Sequence, residues 1–195
     1  MIVMDLRCPG CGHPLKSDEV RCEYCGRPIE ISSFSETESL SIEDLKKHIL
    51  LYNTIIGQDE RNATANFSKG ICFLKLKLYD NALDCFNKAI EADFSFEKAY
   101  LYAAVATMKG NTPFVLSRTQ INQAEAFLND AISFNGKGIY FYLAAFIRYD
   151  YHNRKSFFIK PDYKDYLLKA IDSGVSKKDI ESLFTILNLD IKKAL

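Results

Sequence analysis

The chain has 195 residues, of which 48% are hydrophobic and 26% are charged, and it contains 14 Phe and 11 Tyr. This composition excludes a disordered chain and supplies enough apolar residues for one domain of ordinary size plus a smaller module. Lys and Arg together number 25, as do Asp and Glu, and the resulting net charge of zero argues against a generally basic nucleic-acid-binding protein.

The sequence shows no sign of secretion or of a membrane span. Met1–Arg7 lacks a cationic start followed by a long apolar run, so we expect no secretory signal. The longest apolar runs, Tyr100–Ala106 and Ile139–Ile147, are too short to cross a bilayer. Four of the six cysteines are clustered at metal-ligand spacing, and we therefore expect a reducing, cytoplasmic location.

The N-terminal segment contains two copies of a Cys-x2-Cys-Gly sequence. In each copy the two thiolates can point inward from one tight turn, and the trailing Gly12 or Gly26 supplies the permissive backbone that such a turn needs. The expected ligands are Cys8, Cys11, Cys22 and Cys25. Four thiol ligands leave no coordination position open for water, so the sequence predicts a structural zinc ion rather than a catalytic one. Two surface disulfides or free thiols are the alternative, and His13 is a further candidate ligand.

We call each Cys-x2-Cys-Gly turn a knuckle. The two knuckles resemble those of the zinc-ribbon family, and the resemblance covers about residues 2–31. It implies short β-strands at Ile2–Leu6, His13–Val20 and Pro28–Ile31, and a module that folds largely through metal binding. Residues 1–31 hold four cationic and five acidic side chains, and Tyr24 is their only aromatic residue. A stacking platform is therefore missing, and nucleic-acid binding by the ribbon is disfavoured though still open.

The segment after the ribbon is polar, and we expect residues 32–40 to be a flexible linker. Ser41 followed by Asp44 predicts a capping box at a helix start. The apolar residues that follow, Leu45, Ile49, Tyr52 and Ile56, recur on one helical face, and Gly57 is the expected stop.

Residues 63–96 read as one unit of a helical repeat. Gly70 and Phe73 share a face of one predicted helix, and Ala82, Phe86 and Ala89 share a face of the next. Small residues allow two antiparallel helices to approach closely, with the aromatic rings filling the space between them. This pattern resembles the tetratricopeptide (TPR) repeat, a helix–turn–helix unit of 34 residues. The departures from the TPR pattern are Asn66, Lys69 and Phe94.

Two further repeats follow in the sequence. The second begins near Tyr100, and its second helix carries Ala124, Leu128 and Ala131 after an insertion at Gly110–Thr119. The third begins at Ile139, and Ser176 with Asp179 starts a final capping helix. We therefore predict a mainly α protein: a zinc ribbon at 1–31, a linker at 32–40, and a TPR-like α-solenoid of about three helix pairs with capping helices at 41–195.

The resemblance to TPR proteins also implies a peptide-binding concave face lined by residues of the first helix of each repeat. Those positions are apolar here: Phe67, Ile71, Leu74, Leu101, Val105 and Met108. We expect them to form a groove for an amphipathic helix or apolar peptide. Alternatively, residues 41–56 or the C-terminal helix fill the same groove.

Motifs of common enzymes are missing from the sequence. It contains no phosphate loop, dinucleotide fingerprint or nucleophile elbow, and its three histidines lie in separate modules. We therefore predict a non-enzymatic adaptor or scaffold that binds a protein partner, with the zinc ribbon as a second contact. The alternatives are a nucleic-acid-associated factor, whose ribbon contacts DNA or RNA while the repeats recruit protein, and a subunit that senses zinc or redox state.

Overall fold

The computed structural model describes residues 6–16 and 19–195, which form a mainly α-helical protein. Within these ranges there are eight α-helices and no β-strand. The chain divides into two compact units, Met1–Phe96 and Glu97–Leu195. The N-terminal cysteine segment thus belongs to the same compact unit as the first three helices.

The first unit contains α1 (Ile42–Gln58), α2 (Ala63–Lys75) and α3 (Tyr79–Ala92). The capping box at the start of α1 is confirmed: the Ser41 hydroxyl accepts from the Asp44 amide, and the Asp44 carboxylate accepts from the Ser41 amide. Of the predicted stripe on α1, Leu45 and Tyr52 are buried, and the helix packs against α2.

The predicted close approach of α2 and α3 is also confirmed. A Cβ atom placed on Gly70 would lie 2.5 Å from Cε1 of Phe86, so only glycine fits at this point of the interface. Ala82, Phe86 and Ala89 on α3 are fully buried, as the sequence pattern requires. Phe67 on α2 lies against Phe86, with ring centres 5.7 Å apart.

Residues 32–40 differ from the expected flexible linker. They contain a 3-10 turn at Phe34–Thr37, in which Phe34 and Thr37 are buried. The Ser32 amide and hydroxyl donate to the Glu36 carboxylate, at 2.8 and 3.2 Å. Local hydrogen bonds by these polar side chains and burial of one aromatic ring give the segment a defined structure that its polar composition alone did not indicate.

The second unit contains the five remaining α-helices: α4 Glu97–Met108, α5 Arg118–Phe134, α6 Gly138–Ile147, α7 Tyr163–Asp172 and α8 Lys177–Leu187. Consecutive helices from α4 to α7 pack against each other, and α8 contacts α4 and α6. A π-helical segment, Arg148–Asn153, continues α6. No helix among the described residues is both long and apolar enough to span a bilayer.

Two helices of the second unit, α5 and α8, follow the predicted patterns. Ala124, Leu128 and Ala131 on α5 are fully buried. The Ser176–Asp179 capping box starts α8, which ends at Asn188 in the left-handed conformation with φ 54°. The insertion at 110–119 forms a 3-10 turn at Pro113–Val115.

Candidate metal centre

The two cysteine knuckles have the same local structure. The Cys8 amide donates to the His13 carbonyl at 2.8 Å, and the Cys22 amide donates to the Arg27 carbonyl at 2.9 Å. Each turn is closed by a glycine amide bonded back to the first cysteine carbonyl, at 2.9 Å in both cases. These glycines have φ values of +76° at Gly12 and +70° at Gly26, which disfavour any residue with a side chain.

An arginine that precedes each knuckle also holds the glycine carbonyl. Nη1 of Arg7 donates to Gly12 O at 3.5 Å, and Nη1 of Arg21 donates to Gly26 O at 3.3 Å. The pattern Arg-Cys-x2-Cys-Gly therefore specifies the turn through its arginine as well as its glycine. Sequence reasoning had noticed only the glycine.

The expected β-strands around the knuckles are not found in the described part of the N-terminal segment. Each knuckle instead has one isolated antiparallel bridge, Arg7 with Pro14 and Arg21 with Pro28. Two backbone hydrogen bonds flank each bridge, from the Cys8 and Leu15 amides in the first knuckle and from the Cys22 and Ile29 amides in the second. The pairing cannot extend further on the knuckle side, because the chain there turns immediately to place the cysteines. Most of the strand expected at Ile2–Leu6, and part of that at His13–Val20, lie outside the described residues.

The four predicted cysteines lie together and are not joined by disulfides. All four Sγ atoms are within 4.8 Å of one another, with Cys8 to Cys25 at 3.6 Å and Cys11 to Cys22 at 3.7 Å. A tetrahedral ion with bonds of about 2.3 Å to sulfur places its ligands roughly 3.8 Å apart, so these distances fit a four-thiolate metal site. No other group of three or more metal-binding side chains occurs in residues 6–16 and 19–195.

The arrangement shifts the pKa values of three cysteine thiols, Cys8, Cys11 and Cys22. Hydrogen bonds from the backbone at Cys25 and Tyr24 lower the pKa of Cys22 to about 7. Cys11 receives a backbone hydrogen bond from His13 that acts in the same direction, but burial and the three neighbouring thiols raise its pKa to about 12. Burial also raises the pKa of Cys8. A divalent cation would remove this imbalance, because its charge stabilises all four thiolates at once.

The metal-binding segment is part of the core of the first unit. Cys8 and Cys22 are buried in a cluster with Ile29 and with Leu51 of α1. Arg27 adds an ion pair to Asp44 at 3.0 Å, at the capping box of α1. The knuckles are therefore packed on α1 by apolar contacts and one charged contact.

Two buried hydroxyl groups join the strand-like segment after the second knuckle to the helices. The Tyr52 hydroxyl donates to Ile29 O at 2.7 Å and accepts from the Ile31 amide at 3.2 Å. The Ser68 hydroxyl donates to Ile31 O at 2.9 Å. Tyr52 belongs to the predicted α1 stripe, but its polar role could not be predicted, because its partners lie more than twenty positions away in the sequence.

The cationic side chains of the N-terminal cysteine segment have acceptors within the chain. Arg7 and Arg21 bond the knuckle carbonyls, Arg27 pairs with Asp44, and Lys16 pairs with Glu23 at 3.1 Å. Two of these cations are thus paired with carboxylates, whereas the guanidinium groups of Arg7 and Arg21 are bonded to uncharged carbonyls and keep their positive charge.

The residues expected to line the partner groove are mostly inside the protein. Five of them are buried and Leu101 is half-buried. The buried five are Phe67, Ile71, Leu74, Val105 and Met108. Side chains in this position supply core packing in the structure, so an open groove formed by them is not observed.

The three histidines lie apart from the metal centre. His48 is buried on α1 beside Tyr52, with ring centres 6.0 Å apart. Nε2 of His152 faces the Glu125 carboxylate at 3.4 Å in the second unit. His13 is exposed and stacks on Tyr24 rather than joining the sulfur cluster.

No protein-family model matches the chain, and no curated protein matches it at a significant level.

Proposed function

We propose that this chain is a non-enzymatic adaptor in which a zinc ribbon holds one structural Zn²⁺ and TPR-like helix pairs present a surface to a protein partner. The observation that carries the metal assignment is the set of sulfur–sulfur distances, 3.6 and 3.7 Å, between cysteines of opposite knuckles. Four thiolates favour Zn²⁺ among common divalent ions and leave no open position for catalysis.

The TPR-like assignment rests on the packing of helix pairs. Gly70 allows close approach of α2 and α3, and the small residues of α5 are fully buried at the same relative spacing as those of α3. In TPR-like solenoids such pairs serve to bind proteins. This use of the helices is independent of the chemistry at the metal.

The partner surface of the proposed adaptor is formed by exposed rather than buried apolar side chains. On α7, Leu168 and Ile171 lie on one helical face and are each about three-fifths exposed, at 61% and 60%. An amphipathic helix of a partner could cover such a face by helix-to-helix packing.

The metal assignment is tested by elemental analysis of the purified chain. We expect one Zn²⁺ per chain, and loss of that ion in the Cys22→Ser variant. A control variant, Cys85→Ala, removes a buried thiol of α3 outside the cluster and should keep the full zinc content. A metal content unchanged by Cys22→Ser would contradict the assignment.

The adaptor proposal is tested by affinity purification from the native host after nuclease treatment. We expect one protein to be retained in stoichiometric amount and to be lost with the double variant Leu168→Asp, Ile171→Lys. The control variant Ile42→Asp changes an equally exposed apolar side chain in the first unit and should retain the partner. Recovery of nuclease-protected nucleic acid with no protein would favour the alternative function.

A further inference from the structure

A second feature of the molecule lies in the second unit, around the π-helical segment and the residues that follow it. Residues 148–160 contain four cationic and four aromatic side chains but one acidic side chain, Asp150. The chain as a whole is neutral, so this stretch is a local concentration of positive charge and aromatic rings.

The cations and rings of this stretch form a continuous set of contacts with the insertion at 110–119. The Arg154 guanidinium lies 4.5 Å from the ring centre of Phe114, and Lys155 Nζ lies 5.1 Å from the same ring. Lys155 Nζ is also 3.9 Å from the ring centre of Tyr151, whose ring neighbours that of Phe157 at 6.1 Å.

A cavity of 470 Å³ opens beside Phe114 and adds two further cations. Arg154, Lys192 and Lys193 line it, and Asp150 is its only lining carboxylate. Asp150 is 5% exposed, accepts from the Phe114 amide at 2.8 Å, and is paired with Arg154. Its charge is therefore used to position the insertion, and the cavity retains a net positive charge for an external anion.

Two aromatic side chains near the end of residues 148–160 are exposed to solvent. Phe157 is 51% exposed, and Phe158 is 99% exposed. Isolated apolar side chains on a surface are ordinary, but here two exposed phenyl rings follow each other in sequence, and that of Phe157 neighbours Tyr151, the ring that contacts Lys155. Exposed aromatic faces and cations therefore occur in the same stretch. We call Phe114, Arg154, Lys155, Phe157, Lys192 and Lys193 the aromatic–cationic surface; Phe158 lies at its edge in the sequence.

We propose that the aromatic–cationic surface binds single-stranded nucleic acid, with backbone phosphates on the lysines and arginine and unstacked bases on the exposed phenyl rings. The charge complementarity selects an anionic ligand, and the rings select one that has free π-faces. A duplex hides its base faces by stacking, and an acidic peptide would use the cations but not the rings. The surface shares no residue with the zinc ribbon or with the exposed face of α7. A failure of the adaptor proposal would therefore leave this proposal unaffected, and the reverse also holds.

The charge component is tested by fluorescence anisotropy of the zinc-loaded full chain with a labelled 15-nucleotide oligouridylate or oligothymidylate in 50 and 200 mM salt. We expect binding that weakens steeply with salt, and at least tenfold weaker binding for Lys192→Glu with Lys193→Glu. The matched control, Lys177→Glu with Lys178→Glu, makes the same charge change at exposed positions at the start of α8 and should stay within twofold of the unchanged protein.

The stacking component is tested by Phe158→Leu against Phe158→Tyr. The almost complete exposure of Phe158 means that neither change disturbs the core. Leucine keeps apolar surface but removes the aromatic face, so we expect about tenfold weaker binding, whereas tyrosine keeps the ring and should retain the affinity.

Three results would each overturn the proposal. The first is no binding of either oligonucleotide at 50 mM salt, and the second is an equal loss of binding in the Lys177 and Lys178 control. The third is equally tight binding of a duplex or of a polyglutamate of matched charge, with no effect of Phe158→Leu, which would assign the surface to anions in general.

Discussion

The hydroxyl of Tyr52 on α1 makes two buried hydrogen bonds to the metal-binding segment. It donates to Ile29 O and accepts from the Ile31 amide, and both partners lie in a buried region. Burial raises the pKa of Tyr52 well above its ordinary value, so the hydroxyl keeps its proton and remains a donor at neutral pH. One side chain thereby satisfies two backbone groups that water cannot reach.

Tyr52→Phe should lower the free energy of unfolding of the first unit by about 1–3 kcal/mol, because it leaves a buried carbonyl and a buried amide unsatisfied. Urea unfolding of the zinc-loaded protein, followed by circular dichroism, measures this change. Tyr24→Phe is the control: Tyr24 is 77% exposed, and its change should leave the unfolding midpoint where it was. Equal midpoints for all three proteins would refute the role given to Tyr52.

His48 makes stability depend on pH. Its side chain is 1% exposed, and burial lowers its pKa to about 4. The folded state therefore holds His48 neutral, while an unfolded histidine takes up a proton below about pH 6.5. Between these two pKa values the unfolded state binds more protons, so stability decreases as the pH falls from about 6.5 towards 4.

Lowering the pH from 7.5 to 5.5 should therefore reduce the free energy of unfolding by about 1 kcal/mol through protonation of His48 in the unfolded state. The measurement compares this loss in the unchanged protein and in His48→Leu, both with saturating zinc, so that protonation of the thiol ligands affects the two proteins alike. The variant should lose less stability over this interval. An identical loss in the two proteins would mean that His48 does not contribute to the pH dependence.

Among the elements, the α2–α3 pair depends on the missing side chain at Gly70. Gly70→Ala places a Cβ atom against the Phe86 ring and should destabilise the first unit by about 1 kcal/mol, the cost of overpacking less the gain in helix propensity. Thermal unfolding measures the effect.

Gly57→Ala is the matched control for this prediction. Gly57 also lies within a helix, but a Cβ atom there would meet nothing within 4 Å. The same chemical change should therefore stabilise the protein by up to about 1 kcal/mol through helix propensity alone. If both variants shifted the midpoint in the same direction, close packing at Gly70 would not be what excludes the side chain.

Helix starts were the elements that sequence reasoning located best. Ser41 with Asp44 and Ser176 with Asp179 each form the predicted capping box, because the motif is complete within four consecutive residues. The start of α5 was not predicted from sequence, although Ser117 and Gln120 form a capping box there as well. That motif was also present in the sequence and could have been found.

For the whole molecule, the burial of Cys8 and Cys22 against Leu51 couples metal binding to the helices of the first unit. Removing the metal with a chelator should lower the helical signal in part, through loss of structure in α1 and α2. Hydrogen-exchange mass spectrometry should show loss of protection in residues 29–75 and unchanged protection in 97–195, the other compact unit.

Two outcomes of the chelation experiment would contradict this coupling. If the helical signal did not change at all, the metal-binding segment would fold independently of α1. If residues 97–195 lost protection to the same extent as 29–75, the metal would be stabilising the whole chain. Restoring zinc should recover protection, which separates metal loss from irreversible unfolding.

Features that depend on neighbouring residues could be predicted from sequence: the four clustered cysteines, the capping residues, and the helix faces formed by small and apolar residues, such as Gly70 on α2 and Ala82 with Ala89 on α3. Each requires only spacing along the chain, because turns and helices repeat over a few residues. Which side chains are exposed after folding could not be predicted in this way. The tertiary structure buried five of the six expected groove residues, gave residues 32–40 a packed conformation, and brought Phe114 to Asp150 across 36 positions. Burial and long-range contacts depend on which faces meet after folding. The periodicity of one segment shows which of its faces is apolar but does not identify the segment that packs against that face.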